Sequence, residues 1–210
     1  YVLFGQSQAF PSSFSASSIP WTNGFRIVGI DDGDLLKTVS GIGDVNGDGF
    51  DDLALAAVAA DPGNRTDAGE VYIVYGRPTS PASTYYLSDL SSDEGFQLDG
   101  RAAGDGAGWS VSSAGDMNGD GFGDFIIGAL MADADGKADA GESYVVFGAD
   151  FLSTVTDAGT SGQDVLTGTA DDETLIGGRG DDTIRGEGGA DVLIGAQGDD
   201  VLVVTDSSFR

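Results

Sequence analysis

Gly43-Asp44-Val45-Asn46-Gly47-Asp48-Gly49-Phe50-Asp51-Asp52 returns 72 residues later as Gly115-Asp116-Met117-Asn118-Gly119-Asp120-Gly121-Phe122-Gly123-Asp124. In both stretches, counted from the first aspartate, oxygen-bearing side chains stand at positions 1, 3, 5 and 9. That spacing wraps a hard divalent cation. Its recurrence at one period marks a repeat architecture.

Working outward, the same offset brings the flanks into register. Thr38-Val39-Ser40 meets Ser110-Val111-Ser112, and Asp67-Ala68-Gly69-Glu70 recurs as Asp139-Ala140-Gly141-Glu142. Val71-Tyr72-Ile73-Val74-Tyr75-Gly76 meets Ser143-Tyr144-Val145-Val146-Phe147-Gly148. Gly24-Phe25 aligns with Gly95-Phe96, and Tyr1-Val2-Leu3-Phe4-Gly5 reads as the tail strand of an earlier unit. Leu53 to Val58 and Phe125 to Leu130 are short apolar runs of the kind that form buried strands. Val71 to Tyr75 and Tyr144 to Phe147 are β-branched and aromatic, which suits a pleated surface. Asp, Gly and Asn between them mark turns. Four short strands repeated at this period predict propeller blades, each covering its neighbour's exposed face.

The segments Gly108-Trp109-Ser110-Val111-Ser112-Ser113-Ala114-Gly115-Asp116-Met117-Asn118-Gly119-Asp120-Gly121 and Ile127-Gly128-Ala129 resemble FG-GAP repeats, the blades of integrin α-subunit propellers and of many bacterial surface proteins. The resemblance covers residues 1–150. It departs at the naming Phe-Gly, which reads Ala107-Gly108 in one copy and Leu35-Leu36 in the other, and at Gly-Ala-Pro, which reads Gly128-Ala129-Leu130 and Ala56-Ala57-Val58. The family has seven blades, so two and a fraction would leave blade edges open.

Carried over position by position, the resemblance implies calcium held by Asp44, Asn46, Asp48 and Asp52 with the Phe50 carbonyl, and by Asp116, Asn118, Asp120 and Asp124 with the Phe122 carbonyl. Calcium takes 6 to 8 oxygens in a flexible cage, whereas magnesium demands a tighter octahedron. An EF-hand opens on similar residues but requires a bidentate acid at position 12. Leu55 and Ile127 stand there, and the EF-hand is rejected.

From Gly159 five nonapeptides follow without a break: GTSGQDVLT, GTADDETLI, GGRGDDTIR, GEGGADVLI and GAQGDDVLV, ending at Val203. They resemble the RTX calcium repeat GGxGxDxUx, whose fold is a parallel β-roll. The resemblance implies a turn at positions 1–6 and a strand at positions 7–9. Leu166, Leu175, Ile184, Leu193 and Leu202 at position 8 would point inward. Two nonapeptides complete one coil, so calcium would bridge the position-6 acids Asp164 with Asp182, Asp182 with Asp200, and Glu173 with Asp191. Residues 159–203 hold ten acids and two arginines. Repulsion among them predicts that the segment is disordered without calcium and folds on binding it.

The fold expected is all-β: partial propeller blades over 1–150, a linker over 151–158, a β-roll over 159–203 and a truncated tail over 204–210. Thirty-five glycines against five prolines favour tight turns and short strands. A net charge of −26 argues against nucleic acid and anionic membranes as partners. No apolar run approaches the length of a membrane span. The absence of histidine and cysteine excludes His-assisted nucleophiles, thiolate metal sites and disulfides. No nucleophile–base pair is legible, so the chain reads as non-catalytic.

The expectation is a secreted or cell-surface calcium-binding scaffold for adhesion, of bacterial type I secretion. Two ions would sit in the loops and up to three in the roll, leaving about −16 at full occupancy. A cell-surface protein or glycan is the implied partner. The alternatives are the accessory region of a secreted hydrolase and a pure calcium-folded export tag. Arg179-Gly180-Asp181 spells an integrin-recognised tripeptide that the nonapeptide pattern also generates. Asn64-Arg65-Thr66 is a sequon read as a polar loop, Asp51 as a solvated acid, and Trp21 and Trp109 as packing residues.

Overall fold

Clusters of Asp, Asn and Gly cut the chain into short extended runs, and no α-helix occurs among the described residues. The computed structural model describes residues 1–5, 7, 12–13, 15–16, 22–79 and 83–204. Trp21 and the tail beyond Val204 lie outside them.

One complete blade is an antiparallel sheet of β3 (Leu36–Gly43), β4 (Asp52–Ala57), β5 (Glu70–Val74) and β7 (Gly95–Asp99), in that order. Its successor has three strands, β8 (Ala107–Gly115), β9 (Asp124–Ala129) and β10 (Glu142–Val146), paired the same way. Pairing slips by a residue just before Gly43 in β3 and just before Gly115 in β8. Both glycines have positive φ, +79° and +72°, so each bulge turns its strand into the acidic loop at a position where a side chain would be strained. Before the full blade, β1 (Val2–Leu3) pairs antiparallel with β2 (Gly24–Val28), as β5 pairs with β7. This is the remnant of an earlier unit that the sequence implied. A strand not legible in the sequence, β6 (Thr84–Tyr86), leaves the β5–β7 connection and lies parallel to β2. It covers the edge of the remnant and so removes a row of unpaired backbone groups.

The blades stack face to face. Ala54, Ala56, Val71, Ile73 and Tyr75 of the full blade bury against Val111, Phe125 and Ile127 of its successor. The opposite face, Leu55, Tyr72 and Val74, buries against Phe25 of the remnant, with Val2, Phe4 and Ile27 beside it. Side chains of this size each contribute roughly 1.5–3 kcal/mol when fully buried. In the successor, the face equivalent to Ile73 and Tyr75 has no blade against it among the described residues. Tyr75 is 5% exposed, while Phe147, 72 residues on, is 52% exposed.

Beyond residue 156 the topology changes to parallel. β12 (Val165–Thr167), β14 (Thr183–Arg185) and β16 (Val201–Val203) form one sheet. β11 (Asp157–Ala158), β13 (Thr174–Ile176) and β15 (Val192–Ile194) form the other. Each strand of β12–β16 occupies positions 7–9 of a nonapeptide, and partners lie 18 residues apart, two nonapeptides per coil. β11 extends this winding back into the segment read as a linker. Leu166, Leu175 and Ile184 make the core between the two sheets, with Leu193 packed against them. Leu202 in β16 is about half exposed, with no coil stacked beyond it among the described residues.

Candidate metal centres

In the first acidic loop the Asp44 carboxylate is the hub. Its Oδ1 accepts the N–H groups of Gly47 (2.7 Å) and Asp48 (3.1 Å), and its Oδ2 that of Gly49 (2.8 Å). Asn46 Oδ1 accepts from Asp48 N, while Asn46 Nδ2 donates to Asp48 Oδ2. Asp48 Oδ1 accepts the N–H of Phe50, which fixes the Gly49–Phe50 peptide next to the Phe50 carbonyl. Asp52, fully buried at the head of β4, accepts from Val45 N (2.8 Å) and from Gly76 N (2.7 Å) at the end of β5.

The second loop repeats every one of these bonds. Asp116 accepts from Gly119, Asp120 and Gly121, and Asn118 and Asp120 bond each other. Asp120 takes Phe122 N, and Asp124 takes Met117 N and Gly148 N. The loops are also joined, because Gly123 N donates to the Asp44 carbonyl at 2.6 Å.

All ten loop residues expected from the sequence therefore sit in two superimposable turns, and every donor atom they offer is oxygen, as calcium requires. Among the described residues, no three carboxylates converge on one point. The acids face backbone N–H groups instead. Each Asp52 oxygen accepts one such bond and keeps a second lone pair. Gathering acids in a buried turn has an electrostatic cost. Burial pushes the Asp52 carboxyl up to about 7 against the two N–H bonds, and the Asp48 and Asp44 charges add to it. Burial likewise raises Asp44. A divalent cation reverses this cost. Leu55 and Ile127, where an EF-hand needs an acid, are buried strand residues. Asp51 points to solvent, as the sequence reading had it.

In the roll the expected position-6 partners are adjacent. Asp164 N donates to Asp182 Oδ1 (2.8 Å), Asp182 N to Asp200 Oδ1 (2.9 Å) and Glu173 N to Asp191 Oδ1 (3.1 Å). What becomes of the second carboxylate oxygen depends on position 2. Where that residue is threonine, it is satisfied: Thr160 N and Oγ1 donate to Asp164 Oδ2, and Thr169 does the same for Glu173. These bonds hold Glu173 below its ordinary value, whereas burial raises Asp191. In the third repeat position 2 is Gly178, and the buried Asp182 Oδ2 has no hydrogen-bond partner. It lies in a cradle shaped by glycine. A Cβ on Gly177 would fall 2.5 Å from this oxygen and 2.8 Å from the Gly195 carbonyl. An orphaned carboxylate oxygen beside a peptide carbonyl fits a hard cation in an all-oxygen site.

Sequence reasoning missed the position-5 acids Asp172 and Asp181, which accept the N–H groups of Ala190 (2.8 Å) and Asp199 (3.0 Å) one coil on. Their recurrence one residue before position 6 was the available signal. It also misjudged Trp109. This ring is not packed in a core but is 45% exposed, with Lys37 Nζ 3.8 Å from its centroid.

The fold and the two kinds of acidic turn define an all-β calcium-binding repeat module. Residues 38–74 and 107–146 match the FG-GAP repeat. Residues 167–202 match the RTX calcium-binding nonapeptide repeat in four copies. The nonapeptide at 159–167 precedes that match, and its strand keeps the same register. The chain is 35% identical over 133 residues to integrin alpha-PS2 of Drosophila melanogaster, covering 60% of this chain and 9% of that protein. It is 31% identical over 100 residues to integrin alpha-4 of Xenopus laevis, covering 47% of this chain and 8% of that protein. The chain thus spans under a tenth of the length of the curated relatives it matches.

Proposed function

We propose that this chain is an extracellular adhesion scaffold that becomes rigid in calcium after bacterial type I secretion. The observation that carries the calcium part is the buried Asp182 Oδ2, without a donor and beside a carbonyl-lined glycine cradle. The integrin names of the relatives support adhesion to a cell-surface protein or glycan. Asp44, Asn46, Asp48, Asp52 and the Phe50 carbonyl would hold one ion, and their five counterparts from Asp116 to Asp124 a second. Asp164, Asp182 and Asp200 on one side of the roll, and Glu173 with Asp191 on the other, would hold up to three more. Bound calcium supplies positive charge that cancels carboxylate repulsion. The N–H groups of the glycine-rich turns hold the acids in place, and the strands that follow carry that order into the sheets. Export as an unfolded chain, with folding in external calcium, follows from the small core of the roll.

A calcium titration of the chain followed by far-UV circular dichroism, with magnesium as control, tests this reading. A gain of β signal specific to calcium is expected. Spectra indifferent to calcium, with no heat in a parallel calorimetric titration, would overturn it.

A further inference from the structure

Position 9 of an isolated roll strand faces outward, yet Ile176 at the end of β13 is only 1% exposed. The blade loops cover it. A Cβ on Gly47 would lie 3.5 Å from Ile176 Cδ1, and one on Gly121 would collide with Ile176 Cγ2. Val192 of β15 stands over Gly49, where a Cβ would be 3.1 Å from its methyl carbons. The turn after β13 sends Arg179 across Gly119, and its guanidinium donates to the Asn118 carbonyl. One coil on, Gln197 Nε2 donates to the Asp116 carbonyl at 2.9 Å. Arg179 and Gln197 are both position-3 residues, paired across the coils. They contact the second loop at its first and third positions, the peptides that carry two of its expected cation-binding side chains. The opposite roll sheet, β12, β14 and β16, has outer positions that are exposed or half-buried.

We propose that the roll is a clamp on the cation loops, and that its docking through Ile176, Arg179, Val192 and Gln197 links calcium binding in the roll to calcium binding in the second loop. The inference rests on the calcium reading above. Its physical basis is that two acidic surfaces meet here, and Arg179 is one of only two basic residues in the roll. Neutralising either surface lowers the repulsion that opposes docking, and a docked roll holds the Asp116 and Asn118 peptides in place. Linkage then requires each event to favour the other equally. The loop glycines acquire a second role, close approach to the roll, besides curling around an ion. Arg179-Gly180-Asp181 is held by intramolecular hydrogen bonds at both ends, since Arg179 donates to the Asn118 carbonyl and Asp181 accepts the Asp199 N–H. It is a docking pin rather than an adhesive tripeptide.

The test is hydrogen exchange of the full chain across a calcium titration, read by mass spectrometry over residues 115–124 and 159–203. In the parent, both segments are expected to gain protection with one shared midpoint. Arg179→Glu should raise the midpoint of the loop about fivefold or more, and Gln197→Ala should raise it by less. Protection of the roll at saturating calcium reports that each variant folds, and Gln197→Ala decides the matter if Arg179→Glu does not. Loop midpoints unchanged in both variants, or independent titration of loop and roll in the parent, would overturn the clamp. If calcium protects neither segment, the calcium reading itself has failed.

Discussion

Asp52 and Asp182 are both buried acids in repeated turns, and the two halves of the molecule treat them differently. Both oxygens of Asp52 are satisfied by N–H groups, and the carboxylate ties the loop to the ends of two strands. Beside it, Ile42, Val45 and Ala54 belong to a core shared by two blades. Asp182 has one oxygen bonded and one orphaned, above a core of three buried aliphatic side chains. The blade loop can therefore hold its shape on its own hydrogen bonds and apolar burial. The roll leaves coordinating capacity open and has little else to hold it.

The harshest way to test this contrast is to empty one core position in each half. Ile184 and Ile73 are both fully buried. Truncation of a buried isoleucine costs about 2–5 kcal/mol. Ile184→Ala should abolish folding of the roll at calcium concentrations that saturate the parent, while Ile73→Ala should leave the blades folded with a lower melting temperature. Far-UV circular dichroism with proteolysis at residues 159–203 would read both. A roll that still folds with Ile184→Ala at the parent's calcium midpoint would show its core to be less decisive than the geometry indicates.

A subtler pair exchanges one carboxylate oxygen for an amide. Asn at position 52 must turn its NH2 toward the N–H of Val45 or Gly76, so a buried acceptor becomes a donor facing a donor. Asp52→Asn should cost about 1–3 kcal/mol even in chelator, and more in calcium, where a ligand is also lost. Asn at position 182 can keep Oδ1 for the Asp164 N–H and place its donor beside the Gly195 carbonyl. Asp182→Asn should therefore be neutral or stabilising in chelator and weaken calcium binding. Thermal melts of both variants in calcium and in chelator check the signs. Equal losses in chelator for the two would erase the distinction between an acid whose oxygens the fold already holds and one with an oxygen left open.

How much of this was readable in the sequence follows from the range of the interactions. The loops, the 18-residue spacing of Asp164, Asp182 and Asp200, and strands at positions 7–9 are periodic features, and periodicity is a local property. The pairing of β6 with β2, and the seating of Ile176 on Gly47 and Gly121, join residues that no period connects. Glycines 47, 49, 119 and 121 had a sufficient local reason, a cation turn, and that reason concealed the tertiary one. Trp109 was misread because it stands in the bulge between Ala107 and Ser110, after the positive-φ Gly108, where strand alternation does not fix which face a side chain takes.

The smallest expected effect is a pH dependence of the blades. Burial first, then the Asp48 and Asp44 charges, place the Asp52 carboxyl near 7 in the folded chain, above its ordinary value of 3.8. The folded state thus binds the proton more tightly than the unfolded state. Its contribution to stability is fully present below about pH 4 and is lost as pH rises through 7. In chelator, the melting temperature of the blades should fall between pH 5 and pH 8, and Asp52→Asn, which cannot titrate, should flatten that slope. In the roll the shifts of Glu173 and Asp191 run in opposite directions. With calcium, cation and proton compete for Asp52, so affinity at the first loop should weaken on acidification below 7. Calorimetric titrations at pH 5.5 and 7.5 measure this directly. A first-loop affinity that does not change between them would mean that Asp52 remains ionised without the ion, its two N–H bonds outweighing its burial.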